Sequence, residues 1–120
     1  MDVVLSLHGR FATAIVLYLT IVGLWGLLLG VRGRAPTPNF VGALVIFEVA
    51  AIAQGLLGIA VFFTHPPAQS LHILYGVALA LALPLAATIV RKRERRTASF
   101  TFGLMALFAA GLAIRGMTTA

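Results

Sequence analysis

The chain has 120 residues, of which 61% are hydrophobic and 10% charged, with nine Lys and Arg against three Asp and Glu. Soluble domains carry about 45–50% apolar and about 25% charged residues, so this composition excludes an ordinary soluble domain. The absence of cysteine excludes disulfides, thiolate metal sites and iron–sulfur clusters, and leaves histidine ligation open.

Four apolar blocks follow one another: Phe11 to Val31, Phe40 to Phe63, Leu71 to Val90, and Phe100 to Ile114. A helix needs about 20 residues, and no fewer than about 17, to cross the hydrocarbon core. The first three blocks reach that length, and the fourth does so when it runs from Ala98 to Met117. The first block is too long for a cleaved signal peptide, has no basic segment before it, and is followed by no small-x-small cleavage site. The connections are short, so neighbouring helices must be antiparallel. The expected fold is an all-α integral membrane protein, a four-transmembrane-helix bundle forming one domain over residues 1–120.

Charge placement orients it. Arg32 and Arg34 lie in the first connection, and Arg91, Lys92, Arg93, Arg95 and Arg96 in the third, whereas only Arg10 and Arg115 fall at the opposite ends. Seven basic residues against two is a positive-inside pattern. It puts the basic loops in the cytoplasm and both termini outside (N-out/C-out), as expected in the inner membrane of a prokaryote. The run "RKRERR" then reads as a topology signal with attraction to anionic lipid. The expected partner is the lipid bilayer, and nucleic acid is not one.

Ser6-Leu7-His8 recurs 64 residues later as Ser70-Leu71-His72. Each is followed by an apolar span, a basic loop, and a second span opening near a phenylalanine, Phe40 or Phe100. Gln54-Gly55-Leu56 and Arg115-Gly116-Met117 echo each other near the far ends. The chain therefore reads as two tandem helical hairpins, about 5–63 and 69–117, related by an axis along the membrane normal. His8 and His72 then fall at the same depth on helices one and three. Paired inward histidines are how a helix bundle holds a haem iron by both faces. Glycines on helix one (Gly23, Gly26, Gly30), helix two (Gly42, Gly55, Gly58) and helix four (Gly103, Gly111) suit close helix packing and leave room for a flat macrocycle. Pro84 should kink helix three.

The remaining polar residues have competing readings. Glu48, mid-way along helix two, is a proton relay, a quinone hydrogen-bond partner or an interhelix contact, and is the candidate catalytic group. Gln54 needs a partner: a backbone carbonyl, Tyr75, or the free N–H of a ligated histidine. Tyr75 follows His72 by three residues and shares its face. Arg10 and Arg115 are either snorkelling anchors or holders of haem propionates. His65, in the Pro-rich "FFTHPPAQS" loop, reads as solvated, with a metal contact as the alternative.

Over Gln54 to Pro84, "QGLLGIAVFFTHPPAQSLHILYGVALALALP", the chain resembles one half of a haem A synthase, and "LHGRFATA" (Leu7 to Ala14) resembles the start of such a half. The resemblance covers nearly the whole chain and implies a four-helix half-bundle holding one haem, with axial histidines from the first and third helices, here His8 and His72. The chain departs from that family's pattern in several ways. Gly9 intervenes between His8 and Arg10, the family has eight helices, and the outer-loop cysteines of many members are missing. Leu5 and Gln69 stand where the oxidising half carries a glutamate. The resemblance thus implies haem binding more than haem A synthesis.

The leading expectation is a small membrane cytochrome of b type. Haem b would be ligated by His8 and His72, with Arg10, Arg115, Gln54 and Tyr75 around it, for electron transfer or haem handling. One alternative is a half-size haem A synthase acting as a homodimer. Another is an accessory subunit of a larger respiratory-type membrane complex, with histidines that only hydrogen-bond. A transporter working through Glu48 is a further one.

Overall fold

The computed structural model describes residues 2–91 and 94–120; Lys92 and Arg93 of the basic loop lie outside the described residues. The described chain is all helical: α1 (Asp2–Val31), α2 (Pro38–Phe62), α3 (Leu71–Val90) and α4 (Arg95–Thr119). All four are long and apolar enough to cross a membrane. The bundle measures 48 × 22 × 19 Å, and its long dimension exceeds the roughly 30 Å of a hydrocarbon core.

Local chemistry sets several helix ends. α1 stops at Gly33, whose φ of 70° is open to glycine. Gly33 N–H donates to Gly30 O at 3.0 Å and Arg34 N–H to Leu29 O at 2.8 Å, a Schellman closure. α2 starts on Thr37, whose hydroxyl accepts from Phe40 N–H at 3.2 Å, with Pro38 in the first turn where no donor is needed. Two boundaries differ from the hydropathy reading. α1 begins at Asp2 rather than Phe11, and α4 at Arg95 rather than Ala98. Backbone hydrogen bonding carries a helix through polar residues at which hydropathy falls away.

α1 packs against α2 on one side and α4 on the other, and α3 packs mainly against α4. α2 and α3 touch least, and α1 and α3 lie on the diagonal. The closest approach joins the two hairpins, between α1 and α4. A Cβ on Gly26 would fall 2.7 Å from Gly103 Cα, and one on Gly103 would fall 2.7 Å from Leu27 N. Membrane helices associate by such backbone-to-backbone contact at small residues. Polar ties fix the basic end of this seam: Arg96 Nε donates to Gly30 O at 2.9 Å, and buried Ser99 donates to Arg34 O at 2.7 Å. Across the α1–α2 seam Tyr18 donates its hydroxyl to Ala43 O at 2.6 Å.

Phe40, Phe47 and Leu19 form the fully buried centre. Outside it, Leu17, Ile21, Val45, Val49, Leu81 and Leu104 are all more than 40% exposed, and every helix carries such residues. Apolar surface on that scale is unusual for a soluble monomer and is compatible with contact with a lipid bilayer.

Candidate functional site

The histidine end of the bundle is where the sequence-selected residues meet. His8 lies six residues into α1, about 9 Å along the axis, whereas His72 is the second residue of α3. α1 starts so far out that the two imidazoles still come level. Their ring centres lie 6.1 Å apart with the planes at 74°, although their helices do not pack on each other.

Each histidine is tied to the second helix of its own hairpin, His72 through its ring and His8 through its backbone carbonyl. His72 Nδ1 lies 2.7 Å from Gly116 O on α4. A carbonyl only accepts, so Nδ1 carries the hydrogen and, in the neutral ring, Nε2 keeps its lone pair. On the other side Gln54 Nε2, on α2, donates to His8 O at 2.8 Å. Gln54 Oε1 and His8 Nδ1 are both buried without partners, an acceptor and a potential donor side by side. Gly58 makes room for the ring: a Cβ there would lie 3.2 Å from His8 Cε1.

Of the other selected residues, Tyr75 is half-buried, with the Arg115 guanidinium 5.8 Å from its ring centre. Arg115 is exposed and also reaches Thr118 at 3.4 Å. Arg10 is exposed on the α1–α2 seam, two residues and so about 200° around the helix from His8. Glu48 stands on α2 away from the histidine pair in sequence, with Oε1 buried and unpartnered. His65 is exposed, its Nδ1 3.1 Å from Thr64 Oγ1.

Sequence reasoning selected the histidines and Gln54 but missed the Gly116 carbonyl, because a backbone acceptor leaves no mark in residue type. The echo between Gln54-Gly55 and Arg115-Gly116 was the available signal, since both points support a histidine. Among the described residues, no group of three or more His, Cys, Asp or Glu converges on one point. Comparison of the chain with protein-family models, with curated proteins and with solved structures gives no match.

The donor set can be tested against a haem iron. Two imidazoles on one metal, each at a metal–nitrogen distance of about 2.0 Å, keep their ring centres roughly 6 to 6.5 Å apart. The 6.1 Å spacing here falls in that range. The two side chains are of the kind that ligates haem iron, and their ring centres are spaced as such a pair would be.

Proposed function

We propose that the chain is a small haem-binding protein of the inner membrane of a prokaryote, with basic loops in the cytoplasm and both termini outside. His8 and His72 would hold the haem iron, and the work would be electron transfer or haem handling. The observation that carries this reading is the 6.1 Å approach of two imidazoles from diagonal helices. The resemblance to a haem A synthase half supports it from the sequence side.

The chain's own residues would act as follows. Gly116 O holds the His72 ring by its Nδ1–H, which orients Nε2 as the ligating nitrogen. Gln54 offers Oε1 to the His8 Nδ1–H in the same way, joining two atoms that otherwise stay buried and unpaired. Gly58 keeps the wall behind His8 flat. We assign a propionate contact to Arg115, because it lies over Tyr75, one turn from His72; Arg10 points away from His8 around its helix. A haem held by His8 and His72 would supply one-electron redox chemistry.

A second reading has one observation in its favour. The bond from His72 to Gly116 O already satisfies one ring nitrogen, as it would in an accessory subunit whose histidine is purely structural. A reduced-minus-oxidised difference spectrum of the purified protein separates the two. The haem reading expects b-type bands in wild type and their loss in His72→Ala. A colourless wild type, or bands unchanged in the variant, would overturn it.

A further inference from the structure

The α1–α2 seam is hollow where the α1–α4 seam is closed. Near the histidine end Leu7, Arg10, Phe11 and Ala14 of α1 and Ala53 and Leu57 of α2 line an open groove of about 420 Å³. Phe11 and Ala14 also line its continuation of about 190 Å³, which runs past Ile15 and Ala50 to Tyr18. The cause is side-chain size. α1 is drawn against α4 by glycines, while on the α2 side Ala14, Ala50 and Ala53 put methyl groups where larger side chains would fill the space.

The lining prescribes the occupant. It is apolar along its length, and the Tyr18 hydroxyl at its deep end is already committed to Ala43 O. A polar headgroup at that depth would find no partner, whereas a hydrocarbon chain needs none. From Leu7 to Tyr18 the groove follows eleven residues, about 16 Å of helix rise, close to half of a roughly 30 Å hydrocarbon core. At the shallow end stands one cation. Among the described residues Arg115 is engaged by Tyr75 and Thr118, whereas Arg10 is exposed and has no such partner. A guanidinium at headgroup level binds phosphate bidentately.

We propose that this groove seats one acyl chain of an anionic phospholipid, with the lipid phosphate held by Arg10. The lipid completes the α1–α2 wall over one leaflet and braces the turn of α1 that carries His8. The proposal does not depend on whether a haem is bound.

The test is native mass spectrometry of the purified full chain in non-ionic detergent. Phosphatidylglycerol or phosphatidylcholine with identical acyl chains is added. Wild type should retain phosphatidylglycerol about fivefold better, the preference one arginine gives near a membrane surface. Arg10→Gln should bind the two lipids equally, and Ala53→Leu, which fills the groove, should retain less of both. Equal retention of the two headgroups by wild type would overturn the proposal. So would undiminished retention by a folded Ala53→Leu, or a co-purifying phosphate-free isoprenoid that phosphatidylglycerol does not displace. If Ala53→Leu fails to fold, as judged by helix content, Arg10→Gln carries the test alone.

Discussion

Gly103→Ala probes the contact that joins the two hairpins. A methyl group there would meet Leu27 N at 2.7 Å, Gly23 O at 2.9 Å and Gly26 C at 3.0 Å. All three obstacles are backbone atoms of α1, so no side chain can rotate away, and the helices must separate. Overpacking costs about 1–3 kcal/mol, and an immovable backbone obstacle argues for the upper end. Replacing glycine by alanine within a helix also returns about 1 kcal/mol of propensity. Gly111 isolates the steric part, because it lies on the same helix with nothing within 4 Å of its would-be Cβ. The propensity gain is common to both substitutions and cancels in their difference. Gly103→Ala should therefore be about 3 kcal/mol less stable than Gly111→Ala. Trp25, the single tryptophan, packs 5.3 Å from Phe40 and reports on this region. Its fluorescence during denaturant unfolding in micelles gives both stabilities. Equal stability of the two variants would refute the close α1–α4 approach.

Three further outcomes are expected. Tyr18→Phe removes the 2.6 Å bond to Ala43 O and should cost about 0.6 kcal/mol, and no more than about 1.7, in the same unfolding assay; a larger loss would mean that the hydroxyl holds more than one contact. Glu48→Gln should leave any haem bands intact, because six residues of α2 separate Glu48 from Gln54 at the histidine pair; loss of the bands would bring Glu48 into the site. Because the native chain has no cysteine, single Ala35→Cys and Ala68→Cys substitutions report topology by labelling. With an impermeant thiol reagent on intact cells, the second should react and the first should not, and the reverse would overturn the orientation.

The four helices were legible because each presents a long apolar block, and length and hydropathy suffice for that. The starts of α1 and α4 were not. Segments such as "DVVLSLHGR" are helical by hydrogen bonding, while their mix of apolar and polar residues breaks the hydropathy block. Among the glycines, sequence alone could not separate Gly103, wedged against α1, from Gly111, facing open space, because both are small residues on one helix. The histidine pair was legible through the repeated Ser-Leu-His, which implied matched depth. The two rings do meet, with centres 6.1 Å apart, although His8 sits further into its helix than His72. The angular position of Arg10, near the opposite side of α1 from His8, follows from helix geometry alone and was available before the fold. The ring support from Gly116 comes from a carbonyl, so residue type did not reveal it, and only the loose echo between Gln54-Gly55 and Arg115-Gly116 pointed near it.

The two rings are held at 6.1 Å by separate hairpins, so a haem between them depends on both at once. The most direct measurement is the haem-to-protein ratio and reduced-minus-oxidised spectrum of wild type, His8→Ala, His72→Ala and the double variant, purified in parallel. The expected result is one haem per chain in wild type, with the six-coordinate b-type spectrum lost in each single variant and no further loss in the double. Wild-type protein without haem, or a single variant that keeps the full spectrum, would contradict the paired-histidine account.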